Sequence, residues 1–241
     1  MKDITTKTPG IERSLPLLLL RVLRAFVVNG SCALFLVAGS SAQTPQQGPP
    51  EPAKKVDAKP AETRAEHPEP FDGVPVERMS GQCVALETDL GTIVIEMLPK
   101  AAPESARGFL NLAATGALDT TTFSRVVKDF VIQGGNLSTG EKWNTTLSQR
   151  MSRKLPDEPN DIRHVRGIVS MARGDEANTA TTHFFILVGD GPHLDGKFAA
   201  FGRVTQGIEV ADAINHAPAE GEKPANPVRI KRAIVASCQK Q

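Results

Sequence analysis

The chain has 241 residues, and its 28 Lys and Arg nearly balance its 27 Asp and Glu, leaving a formal net charge of +1. Such a balance argues against a protein whose main surface is a broad basic patch for nucleic acid. Three cysteines exclude a disulfide-dense small scaffold, and they lack the C-x-x-C spacing of a structural zinc site. Composition divides the chain into three segments, and only the last resembles a folded domain.

Residues 1–42 have the pattern of an export signal. Five basic residues precede a mainly apolar stretch over residues 25–38, and Ser40 and Ala42 provide the small residues that a signal peptidase requires. The sequence therefore predicts cleavage after Ala42 and a periplasmic or extracellular protein. The alternative is an uncleaved membrane anchor. Arginines divide the apolar residues of this segment into stretches shorter than the ~20 residues of a membrane-spanning helix. We therefore expect the protein to contact the membrane only if the signal is not cleaved.

Residues 43–78 are typical of a disordered linker. Eight prolines alternate with Lys, Glu and Ala, and Phe71 is the only aromatic residue. Such a segment cannot bury enough apolar surface to offset the entropy of ordering its backbone. Its prolines favour a semi-rigid spacer between the signal and the domain that follows.

Residues 79–241 predict one mainly β domain. A hairpin is expected over residues 83–97, a helix from Pro103 to Gly116, and a second helix over Ile208–Asn215. Many short strands with two isolated helices favour a closed antiparallel barrel over a parallel sheet. Further strands are predicted at residues 123–127, 130–133, 168–172, 183–188, 198–204 and 228–238.

The residue pattern contains no signature of a nucleophile, metal or cofactor. The five histidines have no ligand spacing, Ser124 lacks the G-x-S-x-G elbow of hydrolases, and Gly134-Gly135 lacks a phosphate-loop spacing. We therefore expect no metal and no cofactor. A group of basic residues interleaved with acids predicts a solvated loop face: Arg150, Arg153, Lys154, Arg163 and Arg166.

One stretch is distinctive, namely Phe123-Ser-Arg-Val-Val-Lys-Asp-Phe-Val-Ile-Gln-Gly-Gly135. Its pattern alone favours an ordinary hairpin with an exposed arginine. It resembles, however, the F-H-R-V-x-x-x-F-x-x-Q-G-G signature of cyclophilin-type peptidyl-prolyl cis-trans isomerases. Three further blocks resemble segments of that family in the same order, so the resemblance covers about residues 81–238 and suggests an exported bacterial member. These blocks are G-I-V-S-M-A-R at 167–173, T-H-F-F-I at 182–186, and H-L-D-G-K with F-G-R-V within 193–204.

The resemblance implies a closed eight-stranded antiparallel β-barrel capped by two α-helices, with a peptide groove on its outer face. Arg125 takes the position of the catalytic arginine. Three positions depart from the common family pattern and bear on substrate preference and catalytic efficiency: Ser124 replaces a His, His183 a Gln, and His193 a Trp or other aromatic residue. The substrate-binding positions that the resemblance implies are Phe130, Val131, Gln133, Ala172, Arg173, His183, Phe185, His193, Leu194 and Phe198.

The implied activity is rotation of X-Pro peptide bonds without a covalent intermediate. The implied partners are proline-containing segments of unfolded or exported proteins, bound by a monomer. A cyclophilin-fold chaperone or peptide-binding module with low turnover is the alternative. Barrel closure in the family also brings the chain ends together, so a disulfide between Cys83 and Cys238 is expected in an oxidising compartment. Two buried free thiols on adjacent strands are the alternative to that bond.

Overall fold

The computed structural model describes residues 68–238, so the predicted signal and residues 43–67 of the predicted linker lie outside the described residues. No helix within 68–238 is both long enough and apolar enough to cross a membrane. The helices are α1 (Val76–Met79), α2 (Pro103–Ala114), α3 (Thr145–Ser152) and α4 (Ile208–Asn215), with short 3-10 helices at Leu137–Thr139 and Pro192–Leu194. The strands are β1 (Gln82–Thr88), β2 (Gly91–Met97), β3 (Arg125–Val127), β4 (Val131–Gly134), β5 (Ile168–Met171), β6 (Phe184–Leu187), β7 (Ala200–Gln206), β8 (Ala219–Glu220), β9 (Lys223–Pro224) and β10 (Ile230–Ser237).

Eight of these strands form one antiparallel sheet in the order β10-β1-β2-β7-β5-β6-β4-β3, which curls into a half-barrel. The predicted closed barrel is therefore wrong, because β3 and β10 do not pair along their lengths. Before β3, residues 120–123 meet residues 228–230 through an isolated bridge, Thr122 to Arg229, and a few backbone hydrogen bonds, such as that from the Phe123 amide to the Val228 carbonyl at 2.9 Å. The backbone N–H of Val126 in β3 instead donates to the Glu222 carbonyl at 2.8 Å, so the β8–β9 connection takes part of the edge that closure would need.

The first hairpin illustrates how the apolar pattern sets the sheet. The Thr88 hydroxyl donates to the Gly91 carbonyl at 2.7 Å and closes the turn between β1 and β2. Along β1, Val84 and Leu86 are fully buried, whereas the intervening Ala85 is only partly buried. This alternation directs one face of the sheet towards the main core.

Helix α2 covers that core. It begins with Pro103 at its first turn, and the Glu158 carboxylate accepts hydrogen bonds of 2.8 Å from the Glu104 and Ser105 amides. A distant side chain thus satisfies the free amides of the helix N-terminus, where negative charge is favourable. On the buried face of α2, the Phe109 ring packs 5.0 Å from the ring of Phe184 on β6.

Residues 68–79 pack against α2, so folded residues begin before the predicted domain boundary at 79. The Phe71 amide donates to Asn111 Oδ1 at 2.7 Å, and Arg107 Nη1 donates to the Phe71 and Val74 carbonyls at 2.6 and 2.8 Å. Phe71, Val74 and Val76 pack at the edge of the main core. The proline-rich composition does not prevent this, because the contacts use the Phe71 amide, backbone carbonyls and apolar side chains, none of which requires a proline N–H.

The same segment explains why one basic residue is not solvated. Arg150 was expected on an exposed loop face, but its side chain is only 8% exposed and its Nε lies 2.9 Å from Glu69 Oε1. Desolvation by burial lowers the pKa of Arg150, and the neighbouring Glu69 opposes that shift. The solvated-face prediction is therefore wrong for Arg150. Arg166 does remain half-exposed, in an ion pair with Asp212.

The two ends of the domain meet at a disulfide. Cys83 lies in β1, Cys238 directly follows β10, and their sulfurs are bonded with a Cα–Cα distance of 5.0 Å. The Cys238 amide also donates to the Gly81 carbonyl at 2.8 Å. The bond therefore joins two chain segments that the pairing of β1 with β10 already holds side by side.

Candidate active site

A concave site lies on the face of the sheet opposite the main core. Along β4 and β6, Ile132 and Phe184 point into the main core, whereas their neighbours Val131 and Phe185 join a second, smaller apolar cluster. The period-two alternation of strand side chains produces both faces. The resulting cavity has a volume of about 170 Å³, and its lining residues are Arg125, Phe130, Val131, Gln133, Ala172, Arg173, Phe185, Leu194 and Phe198.

The β3–β4 hairpin places the polar part of the site. Arg125 and Gln133 face each other directly across the two strands. At the turn, Asp129 adopts a positive φ of 59°, and Asn215 of α4 supports the turn from below. Asn215 is buried; its side chain accepts from the Asp129 amide at 2.8 Å and donates to the Val127 carbonyl at 2.9 Å. Sequence reasoning missed this support, since nothing in the α4 pattern marks Asn215 as more than a helix end.

The Arg125 guanidinium has partners on two sides. Its Nη1 donates to Gln133 Oε1 at 3.2 Å, while Nε and Nη2 donate to the two Glu222 carboxylate oxygens at 2.7 and 3.1 Å. The Arg125 side chain remains 42% exposed, at the rim of the cavity. Sequence reasoning missed Glu222, because it lies 97 positions from Arg125 and belongs to no recognised block.

Aromatic rings form much of the apolar wall. The Phe185 and Phe198 rings pack edge to face with centroids 5.9 Å apart, and the Arg173 guanidinium lies 4.9 Å from the Phe198 centroid. A cation over an aromatic face is an attractive contact that fixes both groups. Beside them the Ala172 amide donates to the His183 carbonyl at 2.9 Å. The cavity is thus lined mainly by apolar side chains, and Arg125 and Arg173 also line it.

Two residues from the predicted substrate-binding set do not line this cavity. The exposed His193 ring lies 5.4 Å from the Phe130 ring, so His193 borders the cavity through Phe130. His183 is half-buried just before β6, and desolvation lowers its pKa, which favours a neutral ring. The other predicted positions, including Arg125, line one continuous surface.

A second group of polar side chains lies outside the lining of the cavity. His164 Nε2 is 3.0 Å from the Ser170 hydroxyl, and His164 Nδ1 is 3.2 Å from Asp195 Oδ1. Ser170 and His164 are almost completely buried, so no substrate reaches this Ser-His-Asp set. It instead links β5 to the turn after Leu194. Within residues 68–238, no group of three or more His, Cys, Asp and Glu is arranged to hold a metal ion.

Comparison with known proteins places these features in one family. The family model of cyclophilin-type peptidyl-prolyl cis-trans isomerases matches residues 83–235. A peptidyl-prolyl cis-trans isomerase of Dictyostelium discoideum is 35% identical over 157 residues, covering 64% of this chain and 98% of that protein. Peptidyl-prolyl cis-trans isomerase A of Dickeya dadantii is 34% identical over 161 residues, covering 65% and 83% respectively.

A solved structure agrees with the sequence relatives. The crystal structure of a Cryptosporidium parvum cyclophilin-type isomerase, determined in the presence of the dipeptide Ala-Pro, is 29% identical, with a TM-score of 0.57. The match covers 64% of this chain and 99% of that one. The family model spans more than half of the chain, and named isomerases match along most of their own length. The chain therefore belongs to the family of cyclophilin-type peptidyl-prolyl cis-trans isomerases.

Proposed function

We propose that this protein is an exported bacterial isomerase that accelerates X-Pro bond rotation while exported proteins fold. The observation that carries the proposal is the position of Arg125, a permanently charged donor at the rim of an apolar cavity of about 170 Å³. That cavity suits a proline ring, which has no polar group of its own. The arginine beside it is then near the amide nitrogen of the same residue.

The mechanism follows from the bond that rotates. An X-Pro amide is held planar by resonance, with a barrier of ~18–20 kcal/mol, and uncatalysed exchange takes tens to hundreds of seconds. In the twisted state the proline nitrogen becomes pyramidal and regains its lone pair, so it accepts a hydrogen bond that the planar amide does not. A donor directed at that position stabilises the transition state more than the ground state, which is the requirement for catalysis.

Different residues bind the proline ring and hold Arg125 in position. Phe130, Phe185 and Leu194 bind the ring and exclude water, which strengthens hydrogen bonding inside the site. Gln133 holds Nη1 of Arg125 and has its amide group available for the peptide backbone. No proton is transferred and no bond is broken, so the scheme requires neither an acid–base pair nor a cofactor.

Two features support an oxidising, extracytoplasmic location. The basic and apolar pattern of residues 1–42 is that of an export signal with a cleavage position after Ala42. The Cys83–Cys238 disulfide is a bond of the kind that persists mainly outside the cytosol. Export before folding also fits the substrate class, because unfolded exported chains present accessible X-Pro bonds.

The test follows two rates with the same purified protein. A protease-coupled assay on an Ala-Pro peptide measures isomerisation, and refolding of a disulfide-bonded exported protein limited by X-Pro isomerisation measures assistance of folding. We expect substoichiometric protein to accelerate both. Acceleration only at stoichiometric concentration would favour the peptide-binding module instead. A cytoplasmic location in fractionated cells would overturn the assignment to exported clients.

A further inference from the structure

The backbone of Glu222 is fixed next to strand β3. Gly221 and Glu222 form the two-residue loop of the β8–β9 hairpin, and Gly221 has a φ of +60°, which glycine adopts without steric cost. The Glu222 carbonyl accepts a hydrogen bond of 2.8 Å from the Val126 amide. The loop therefore holds the Glu222 Cα beside the strand that carries Arg125.

From this position the carboxylate binds Arg125 in a bidentate manner. The Glu222 Oε2 and Oε1 atoms lie 2.7 and 3.1 Å from Nε and Nη2 of the guanidinium. Two parallel hydrogen bonds fix the plane of both groups, whereas a single bond would allow rotation about it. Gln133 holds the remaining nitrogen, Nη1, at 3.2 Å.

The pair contributes little to folding. The Arg125 and Glu222 side chains are 42% and 56% exposed, and exposed ion pairs are screened by water and salt. Its consequence is geometric, because an unrestrained arginine at a solvated rim samples many rotamers. Catalysis of bond rotation requires the donor to be directed at the amide nitrogen before the bond twists.

We propose that Glu222 is a positioning residue for the isomerisation, fixing the guanidinium plane of Arg125 so that its free N–H groups face the bound proline. This inference rests on the proposed function of Arg125. Arginine has five N–H groups, and the three hydrogen bonds to Glu222 and Gln133 leave one on Nη1 and one on Nη2. With Glu222 and Gln133 bound to the other three, those two donors remain for the bound peptide.

The first experiment compares Glu222→Ala and Glu222→Gln with Glu220→Ala, which removes a carboxylate from the same exposed hairpin. We expect Glu222→Ala to lower kcat/KM about tenfold, since small misplacements of reacting groups cost one to two orders of magnitude. Glu222→Gln should fall between it and wild type, because its amide oxygen accepts one of the two bonds. The Kd of an Ala-Pro peptide, measured by NMR titration, should stay within about twofold in both, since Glu222 does not line the cavity.

The second experiment tests whether Glu222 acts through Arg125. In an Arg125→Ala background, we expect Glu222→Ala to cause no further loss of kcat/KM, because residues that act as a unit are strongly non-additive. The Arg125 Nε–H resonance provides a readout independent of turnover. It should exchange slowly with water in the wild type and in Glu220→Ala, and rapidly in Glu222→Ala.

Three results would overturn the inference. Wild-type kcat/KM in Glu222→Ala would show that the orientation of Arg125 does not depend on the carboxylate. If Glu222→Ala lowered kcat/KM as much in the Arg125→Ala background as in the wild type, Glu222 would act independently of the guanidinium. If Glu222→Ala also lowered Tm, the role of Glu222 would be structural. An inactive wild-type protein would overturn the proposed function and this inference together, whereas the first three results leave the proposed function intact.

Discussion

His164 and Asp195 are joined by two contacts that fix the turn behind the cavity. The His164 amide donates to Asp195 Oδ1 at 2.7 Å, and the same oxygen lies 3.2 Å from His164 Nδ1. The backbone hydrogen bond from His164, followed by its side-chain contact, lowers the pKa of Asp195. Desolvation lowers the pKa of His164 and outweighs the opposing effect of Asp195. The imidazole is therefore neutral in the folded protein at pH 7.

This arrangement predicts a loss of stability in mild acid. A histidine whose folded pKa lies below the unfolded value of 6.5 takes up its proton first in the unfolded state. Its contribution to stability is thus complete above about pH 6.5 and falls as the pH drops towards the folded pKa. The half-buried His183 shifts in the same direction, for the same reason of desolvation. We expect the urea midpoint to decrease between pH 7.5 and 5.5.

The test of this pH dependence removes the buried imidazole. His164→Gln should reduce the slope of stability against pH between 7.5 and 5.5. Urea titrations at several pH values measure the slopes directly. An unchanged slope in His164→Gln would contradict the assignment of the acid sensitivity to the buried imidazole.

The disulfide should be a major source of stability. The bond joins residues 155 positions apart, and a cross-link that closes so long a loop typically contributes roughly 2–4 kcal/mol to the free energy of unfolding. We expect Cys83→Ser with Cys238→Ser, or reduction of the wild type, to lower Tm while the fold persists. Denaturant titration with and without reductant measures the difference. Alkylation of both thiols in unfolded, unreduced protein would show that the bond does not form.

His193 should limit the affinity for cyclosporin-type cyclic peptides. The exposed His193 ring lies 5.4 Å from the Phe130 ring at the cavity border, at the position where the family pattern has Trp or another aromatic residue. A smaller ring offers less apolar area, and at the few fully desolvated contacts of an interface such a loss costs more than about 1 kcal/mol. We expect weak inhibition of the wild type and tighter binding to His193→Trp, measured by calorimetry. Nanomolar inhibition of the wild type would contradict this prediction.

We predict that the protein is exported and that cleavage of its signal leaves Gln43 as the N-terminus. Ser40 and Ala42 provide the small residues at the predicted cleavage position, and the basic residues precede the apolar stretch as a signal requires. Intact-mass measurement of protein recovered from the exported fraction tests the position. A membrane-bound chain that retains residues 1–42 would instead identify an anchor.

Sequence alone predicted α2, α4 and most strands of the domain, but the structure adds two helices, α1 and α3, and the β8–β9 hairpin, which the sequence analysis did not predict. Strand alternation and the Pro103 helix start are local signals, and the structure confirms them over β1, β2 and α2. The open edge of the sheet was not predicted, because no local pattern shows that the Val126 amide donates to the distant Glu222 carbonyl. Burial of Arg150 was missed for a similar reason, since its partner Glu69 lies in a segment whose composition indicates a linker.

In the candidate site, too, some residues were predicted from the sequence and others depend on contacts between distant positions. Family resemblance predicted Arg125 and Gln133 as site residues; the structure places them opposite each other on β3 and β4, and both line the cavity with the predicted Phe130 and Phe185. Glu222 was not predicted, because its role depends on a contact across 97 positions and on the path of the β8–β9 hairpin. Short blocks therefore identify the residues on the cavity wall, whereas the residues that orient them appear only in the fold.

The most direct test of the account is the activity of Arg125→Ala. Removing one donor directed at the developing charge typically costs about 10²–10³ in rate. Arg125 is 42% exposed in a screened ion pair, so Tm should change little. The matched control is Arg203→Ala, which removes an exposed arginine paired with Glu96 on the sheet. We expect kcat/KM on an Ala-Pro peptide to fall at least a hundredfold in Arg125→Ala alone; wild-type kcat/KM in that variant would contradict the account.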